Sequence, residues 1–255
     1  MRLIDIKEYF KQEKSKLRQS CPMKSTRPAL MIIDAGNGNS ASEVYMRNKL
    51  KDFTDVGWKA AVVKARSSEQ IECLLKNAEE FGFNCAIVQF PVAEGIVFKE
   101  EMMPIWLDCD GLNAASGVVP ATARGIIDYL DACGFEYAGK RAVVLGRSKI
   151  VGEPVARELL KRDMTVTVCH SKTREEDRLN VLKGADLVVV AVGIPGFLRR
   201  EDCKGAIVID VGINRIDGKL VGDFAREDGD ELATPVPGGV GLLTRLGLMK
   251  NCYDL

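Results

Sequence analysis

A tyrosine and a lysine four residues apart form the first pair of side chains that could do chemistry together. Tyr45 and Lys49 lie in a stretch with helical spacing, so both project from one face of the helix. A lysine that a ligand ring shields from water loses part of its preference for the charged form and can then transfer protons near neutral pH. The same spacing also fits a half-buried tyrosine beside a solvated lysine, and the pair alone does not decide between the two.

Polar residues also follow two apolar segments further along the chain. Gln89 ends an apolar run directly before Phe90, and ligands of α/β proteins bind where strands end, although a simple strand terminator is the alternative. Asp108 and Asp110 could act as a pair of carboxylates, but Asp-x-Asp-Gly is also common turn chemistry, and we expect the turn. Neither interpretation requires a metal ion.

A glycine-bearing loop joins a predicted strand to a predicted helix in the second half of the chain. The apolar run 142–145 lacks alternation, as in a parallel strand buried on both faces, and it leads into Gly146. After Gly152 the spacing becomes helical, with Pro154 in the first turn. Such a junction offers backbone N–H groups and a positive helix dipole to a phosphate. Because the spacing is not G-x-G-x-x-G, a nucleotide site and a plain βα turn both remain open.

The residues near this loop indicate which nucleotide would bind. Arg147 follows the turn glycine directly, while Ser171 and Lys172 follow the next predicted strand. NAD-selective folds usually place an acidic residue after that strand, to bind the adenosine ribose. Here the available groups suit a 2′-phosphate, which predicts NADP.

Histidine and cysteine usage predicts no metal site. His170 is the single histidine and fits a surface residue as well as a ligand, and no Ser-His-Asp triad can be built around it. The 8 cysteines are scattered without a C-x-x-C pair, so we expect small, reduced core residues rather than zinc ligands.

Composition narrows the class of protein. The chain has 255 residues, of which 46% are hydrophobic, enough for one large domain or two modest ones. Lys and Arg total 36 and Asp and Glu total 36, so the zero net charge gives no argument for nucleic acid or an anionic membrane as partner. The amphipathic start is not a secretory signal and no apolar run is long enough to span a bilayer, which predicts a cytoplasmic protein.

The predicted elements form two successive α/β runs, with a boundary between Gly117 and Gly134. We expect strands at 29–34, 58–65, 85–89, 142–145, 165–169, 186–192 and 206–211. We expect helices at 3–19, from Ser40 or Ser42 to Gly57, at 69–81 and 122–133, after Gly152, and at 174–182 and 242–252. Asp217-Gly218 predicts a hairpin over 215–220.

Taken together, the motifs resemble the methylenetetrahydrofolate dehydrogenase/cyclohydrolase family. The matching segments occur in family order over nearly the whole chain: 41–49 (ASEVYMRNK), 88–91 (VQFP), 108–111 (DCDG), 146–152 (GRSKIVG), 208–214 (VIDVGIN) and 234–241 (TPVPGGVG). The GRS and PVPGGVG stretches are each quite specific, and the joint occurrence of all six by chance is negligible.

The resemblance implies two α/β domains with a cleft between them. Residues 1–120 would form a catalytic folate domain, completed by a C-terminal helix over 239–255. Residues 121–238 would form a Rossmann-type NADP domain, through which the protein would form a homodimer. The resemblance also implies that the folate substrate is 5,10-methylenetetrahydrofolate.

Residue roles follow from the resemblance at the matching positions. Tyr45 would stack on the folate, Lys49 would be the general acid/base of the cyclohydrolase step, Gln89 would hold and tune that lysine, and Asp110 would grip the pterin. The cofactor would contact residues of the second domain: Gly146, Arg147, Ser148, Ile150, Ser171, Ile213, Gly239 and Gly241.

The implied activity has two steps. 5,10-Methylenetetrahydrofolate is oxidised to the methenyl compound by hydride transfer to NADP, and the methenyl compound is hydrolysed to 10-formyltetrahydrofolate. The segment 112–119 is shorter than in the family pattern, so a dehydrogenase with little cyclohydrolase activity is one alternative. A nucleotide-binding protein without turnover and a shikimate-type or amino-acid dehydrogenase are the others, and the Tyr45/Lys49 spacing fits the last of these poorly.

Overall fold

The computed structural model describes residues 3–20, 27–36, 38 and 40–255, with the backbone alone for 40 and 41. The chain forms two compact α/β units. One consists of Met1–Phe10 with Thr122–Gly247, and the other consists of Lys11–Ala121 with Leu248–Leu255. After their main sheets, we call the unit that contains Thr122–Gly247 the four-stranded unit and the unit that contains Lys11–Ala121 the three-stranded unit.

The three-stranded unit is built on a parallel sheet. Its strands are β1 (Ala29–Asp34), β2 (Lys59–Lys64) and β3 (Cys85–Gln89), in the order β2-β1-β3. Its helices are α2 (Ser40–Asp55) and α3 (Ser68–Lys76), together with most of α1 (Ile6–Ser20). Apolar side chains of β1 and α3 meet in one core, with Met31, Ile33, Ile71 and Leu75 fully buried. The strands run in register, so that Asp34 and Gln89 lie side by side at the carboxyl edge of the sheet.

The four-stranded unit holds a second parallel sheet. Its strands β4 (Arg141–Leu145), β5 (Thr165–Cys169), β6 (Leu187–Val190) and β8 (Ile207–Asp210) lie in the order β5-β4-β6-β8. Helices α5 (Gly152–Leu160) and α6 (Glu175–Leu182) connect them, and α4 (Ala121–Ala132) precedes them. The chain adds β5 on one side of β4 and then adds β6 and β8 on the other side. The strand order therefore reverses beside β4, and doubly wound folds bind ligands at such a point.

Small elements complete the chain. Strand β7 (Leu198–Arg199) pairs in parallel with β11 (Phe224–Ala225). Strands β9 (Asn214–Ile216) and β10 (Lys219–Val221) form an antiparallel hairpin. Helix α7 (Val240–Asp254) ends the chain, and the division between the units falls within α1 and α7. In the described part of the chain, no helix has the length and apolarity needed to cross a membrane.

Most element predictions are confirmed, and the errors are local. The strands 29–34, 85–89 and 165–169 agree to the residue, and the hairpin turns at Asp217 and Gly218, both with positive φ as the sequence indicates. The helix predicted over 69–81 ends at Lys76 instead. At Asn77 the side-chain amide also donates to the carbonyl of Cys73, in competition with the helical N–H bond to the same oxygen, and the regular helix ends there. The pair β7/β11 was missed because two-residue strands leave no alternation to read.

We expect Gly125→Ala to destabilise the four-stranded unit. Gly125 lies inside α4, where alanine normally favours a helix by about 1 kcal/mol. A Cβ at this position would lie 2.1 Å from the carbonyl oxygen of Leu243 in α7, so the helices would have to separate. The expected loss is about 2 kcal/mol in the free energy of unfolding, measured by urea denaturation. Ala132→Gly, at the exposed end of α4, is the control and should cost less than about 1 kcal/mol. A stabilised Gly125→Ala variant would contradict the close packing of α4 on α7.

Candidate active site

A buried lysine is the centre of the site in the three-stranded unit. Helix α2 places Lys49 so that the residue is only 8% exposed. Its Nζ donates a hydrogen bond to Oε1 of Gln89, at 3.0 Å. The Nε2 of Gln89 donates to the carbonyl of Phe90, at 2.9 Å, which turns the amide oxygen toward the lysine. Gln89 is therefore more than a strand terminator, since it fixes the position of the amine.

Tyr45 lies one helical turn before Lys49 on α2 and is half-buried. The tyrosine and the lysine therefore share a helix face, as the spacing predicts. The alternative of a solvated lysine is wrong, because the Lys49 side chain is buried.

Burial also controls the proton affinity of this site. It lowers the pKa of Lys49, and the negative charge of Asp110, followed by Cys109 and Cys252, opposes that change. Burial raises the pKa of Asp110 to about 6, an effect that Lys49 opposes and the carboxylate of Asp108 reinforces. The amine and the carboxyl group thus approach each other in proton affinity. A pair of groups shifted in this way is typical of sites that move protons near neutral pH.

Asp108 organises the loop that presents Asp110. Its Oδ1 accepts hydrogen bonds from the N–H groups of Asp110 (3.3 Å) and Leu112 (3.0 Å). Its Oδ2 accepts from the N–H of Asn113 (2.9 Å) and from Oγ of Ser116 (2.8 Å). The expected turn is present. The two aspartates differ in their contacts, because the carboxylate of Asp108 accepts the hydrogen bonds that close the loop, whereas the carboxyl group of Asp110 interacts electrostatically with Lys49.

The four-stranded unit contains the predicted glycine loop, at the point where its sheet reverses. Gly146 has φ 117°, and a Cβ there would lie 2.3 Å from the carbonyl oxygen of Ala191. A Cβ at Gly152 would lie 2.2 Å from the carbonyl oxygen of Gly146. Both positions therefore require glycine, since any side chain would force the backbone apart. The loop is too tight to be a generic βα connection, and it leads into the N-terminus of α5.

The side chains predicted to contact the cofactor lie around this loop. Arg147, Ser148 and Ile150 are exposed within it, and Ser171 is exposed after β5. The N–H of Gly146 donates to the carbonyl of Cys169, so the loops after β4 and β5 are adjacent. His170 has a structural contact, because its Nδ1 accepts a hydrogen bond from the N–H of Lys172 at 3.2 Å.

The remaining predicted cofactor residues follow β8. Ile213 is 44% exposed in the loop after this strand. Gly239 is buried where α7 begins, and a Cβ there would lie 2.1 Å from the carbonyl oxygen of Pro235. Gly241 lies in the first turn of α7. The loop residues 234–239 are attached to the sheet through Thr234, whose hydroxyl accepts a hydrogen bond from the N–H of Asp210 at 2.8 Å.

Two buried carboxylates brace the same edge of the sheet, and the sequence analysis missed both. Asp210 accepts hydrogen bonds from the N–H groups of Gly212, Asp223 and Phe224, each at 3.0 Å. The carboxylate of Asp223 accepts from the N–H groups of Val192 and Gly193 and from the amide of Asn214. These contacts join the loops after β6 and β8. Asp210 and Asn214 lie within the matched segment 208–214. The sequence analysis therefore identified the segment but did not predict that its side chains hold the neighbouring loops.

The fold and the two groups of residues define a class of protein. A doubly wound unit with a glycine-only turn at its reversal point is a dinucleotide-binding unit. It is joined to a second α/β unit with a buried lysine, held by an amide and faced by a carboxylate. This combination indicates a dinucleotide-dependent enzyme that also handles protons.

Comparison with known proteins specifies the family. Residues 120–255 match the family described as tetrahydrofolate dehydrogenase/cyclohydrolase, NAD(P)-binding domain. The bifunctional protein FolD of Listeria innocua is 38% identical over 98% of this chain and 95% of its own length. That of Lacticaseibacillus casei is 40% identical over 89% of this chain and 87% of its own.

Solved structures agree with these relatives. The bifunctional FolD enzyme of Campylobacter jejuni superimposes with a TM-score of 0.89 at 32% identity, over 98% of this chain and 96% of that one. The Trypanosoma brucei enzyme, solved with NADP and an inhibitor, gives a TM-score of 0.88 at 33% identity, over 98% and 95%. This chain belongs to the tetrahydrofolate dehydrogenase/cyclohydrolase family, which removes the shikimate-type and amino-acid dehydrogenase alternative.

We expect Asp210 to titrate far above an ordinary aspartate. Burial raises its pKa to about 6, although three N–H donors oppose the change. An unfolded aspartate ionises near pH 3.9, so ionisation costs the folded state more. The contribution of Asp210 to the free energy of unfolding is therefore greatest below about pH 4, falls as the pH rises to about 6, and is constant above that.

Carboxyl-carbon NMR checks this expectation. The wild type should show two raised aspartate titrations, from Asp110 and Asp210, and Asp210→Asn should remove one of them. If the variant keeps both titrations, the assignment to Asp210 is wrong.

Proposed function

We propose that this protein is a bifunctional enzyme that oxidises 5,10-methylenetetrahydrofolate with NADP and hydrolyses the methenyl product to 10-formyltetrahydrofolate. The observation that carries the proposal is the buried Lys49, which is held by Gln89 and lies close enough to Asp110 for their charges to interact. A dehydrogenase that only aligns two substrates has no need for such a lysine. A hydrolase that moves protons does need one.

The residues of the four-stranded unit fit NADP. Gly146 and Gly152 let the loop after β4 turn tightly into the N-terminus of α5, which is the kind of junction at which a pyrophosphate binds. Arg147 and Ser171 are exposed on the adjacent loops after β4 and β5, where they can bind a 2′-phosphate. Ile150, Ile213 and the turn around Gly239 and Gly241 provide further contacts for the cofactor.

The dehydrogenase step chiefly requires alignment. When bound, NADP accepts a hydride from the methylene bridge of the folate, which leaves a methenyl cation. The residues of the chain hold the reactants in place and need not form a covalent bond. Tyr45 lies beside Lys49 on α2, so its ring can stack on the folate while the lysine amine lies near the reacting carbon.

The cyclohydrolase step requires proton transfer at Lys49. Water attacks the methenyl carbon, and the neutral amine of Lys49 accepts one of its protons. The ammonium then donates that proton to the ring nitrogen as the bond between this nitrogen and the carbon breaks, and the remaining hydroxyl proton leaves to solvent as the formyl carbonyl forms. Burial lowers the pKa of Lys49, which favours the neutral amine, and Gln89 accepts a hydrogen bond from Nζ. Asp110 is placed to bind polar groups of the pterin and to stabilise the ammonium form.

The division of labour between the units belongs to this proposal. The three-stranded unit would bind the folate, and the four-stranded unit would bind NADP. We also propose a homodimer formed through the four-stranded unit. The edge strand β5, with Val168 38% exposed, supports this surface. A cytoplasmic location agrees with the free thiols of the described cysteines.

The activity is tested by absorbance of the methenyl product. Purified protein with 5,10-methylenetetrahydrofolate and NADP should produce methenyl absorbance, and added methenyl compound should decay faster with the protein than without it. Absorbance growth without accelerated decay would leave a dehydrogenase alone. Cofactor binding with neither signal would leave a nucleotide-binding protein without turnover.

Replacing Lys49 should impair the hydrolytic step and leave cofactor binding intact. Lys49→Met removes the proton-transfer group and keeps much of the buried volume, so enzyme-catalysed decay of the methenyl compound should fall at least about 100-fold. NADPH binding, followed by cofactor fluorescence, should be unchanged. Lys51→Met is the control, because Lys51 is an exposed partner of Asp55 on the same helix. Full cyclohydrolase activity in Lys49→Met would overturn the role of the lysine.

Arg147 should determine the preference for NADP over NAD. Arg147→Ala removes a cation suited to the 2′-phosphate, so the ratio of kcat/KM for NADP to that for NAD should fall roughly 10- to 100-fold, because a charged hydrogen bond is worth about 1.5–3 kcal/mol. Arg174→Ala is the control, since this exposed arginine already pairs with Asp177. An unchanged ratio in Arg147→Ala would assign selectivity to other residues.

A further inference from the structure

Three cysteines that are far apart in the sequence meet in the three-stranded unit. The Sγ atoms of Cys85, Cys109 and Cys252 all lie within 4.8 Å of one another, and all three residues are buried. Cys85 begins β3, Cys109 follows the residue that bridges to Ala86, and Cys252 lies near the end of α7. Their separation in sequence explains why cysteine spacing predicted no metal site.

The surrounding backbone holds this cluster in place. Asn251, next to Cys252, donates hydrogen bonds from Nδ2 to the carbonyl of Cys109 at 2.8 Å and to that of Val119 at 3.0 Å. The Sγ of Cys109 donates to the carbonyl of Ala86 at 3.3 Å. Strand β3 and helix α7 therefore present Cys85 and Cys252 to one point, and Cys109 joins them from the start of the 108–116 loop, where hydrogen bonds to Ala86 and Asn251 hold it.

We propose that Cys85, Cys109 and Cys252 form a binding site for one divalent, thiophilic cation of the zinc type. Zinc bonds to thiolate sulfur at about 2.3 Å, which places the sulfurs of a tetrahedral site roughly 3.8 Å apart. The sulfurs lie close enough to reach that arrangement with side-chain shifts of about 1 Å. No carboxylate or histidine in the described residues joins the three thiols, so water would take the fourth position.

The net charge of the complex favours a divalent ion over a monovalent one. Binding follows M²⁺ + 3 Cys–SH → [M(S–Cys)₃]⁻ + 3 H⁺, without any change of oxidation state. The complex carries one negative charge in a buried place, where an uncompensated charge is costly. Lys49 interacts electrostatically with Cys109 and Cys252, whereas the carboxyl group of Asp110 interacts with Cys109 as a like charge, so a complex of low net charge is required here. A monovalent ion on three thiolates would leave one more negative charge uncompensated.

The three thiols are buried, so an ion has to reach them through a local opening of the structure. Cys252 lies in the last turn of α7, which ends at Asp254. Since helix ends open locally at low cost, this turn provides a route for the ion to enter.

Cadmium is the spectroscopic probe for this site. Reduced wild-type protein under anaerobic conditions should bind one Cd²⁺ with a thiolate-to-metal charge-transfer band, and it should release about three protons per ion. Cadmium should displace Zn²⁺ from protein loaded with zinc, and X-ray absorption of the zinc form should count three sulfurs at about 2.3 Å.

Variants locate the site. Cys109→Ala should weaken cadmium binding by at least about 100-fold, because two thiolates alone make a poor site for this ion. Cys203→Ala is the matched control, since Cys203 is a buried thiol in the four-stranded unit, and its cadmium band should equal that of the wild type.

Three results would overturn the proposal: a wild type without the band, a band that survives in Cys109→Ala, or a zinc form with fewer than three sulfurs. The last measurement uses the wild type alone, so it decides the question even if Cys109→Ala does not fold. None of these readouts depends on folate turnover, so the metal site and the proposed activity can fail independently.

Discussion

The cost of removing an ammonium group from water is the constraint on which the site depends. An isolated buried charge costs several kcal/mol, so a buried lysine must lose its proton or find partners. Lys49 has both options, because burial lowers its pKa while Gln89 accepts its hydrogen bond and Asp110 offers an opposite charge. A group balanced between its two protonation states is what proton transfer needs. The surrounding fold supplies that balance by holding α2, the end of β3 and the 108–116 loop together.

The four-stranded unit also buries ionisable groups, but these are carboxylates, whose charge is negative. Asp210 and Asp223 are buried carboxylates, and backbone N–H groups surround them in place of water. Each carboxylate ties together loops that follow different strands, so the carboxyl edge of the sheet is held in one shape. Fixed loops reduce the entropy lost when a cofactor binds. The two buried carboxylates therefore act from beneath the surface, by holding the loops in the shape that a cofactor would meet.

The short 112–119 segment illustrates how a deviation from the family pattern can be accommodated. Asp108 accepts hydrogen bonds from two N–H groups and a hydroxyl of this segment, those of Leu112, Asn113 and Ser116, so the start of the shortened loop is fixed by hydrogen bonds. Gly111 packs tightly against Pro120, where a Cβ would lie 2.8 Å from the proline nitrogen. The loop therefore keeps Asp110 near Lys49 despite its length. Loss of the hydrolytic step does not follow from the shortening.

The sequence determined the elements and the identity of the motifs. Apolar runs without alternation marked β1, β3 and β4, and glycines at 146 and 152 marked the tight turn between β4 and α5, because these features depend on local backbone conformation and on burial of a whole segment. The roles of Lys49 and of its three neighbours in the site were predicted from their match to family segments: Tyr45, Gln89 and Asp110. Spacing alone left each of them with an ordinary alternative.

Only the tertiary structure decided which side chains meet. Lys49 and Gln89 come together because the fold brings the carboxyl end of β3 close to α2, and nothing local in either segment encodes that contact. The hydrogen bonds of Asp210 and Asp223 and the meeting of Cys85, Cys109 and Cys252 were likewise invisible, since each joins segments far apart in the chain. Sequence patterns report how a segment is buried, whereas pKa values and metal geometry depend on which neighbours share the buried space.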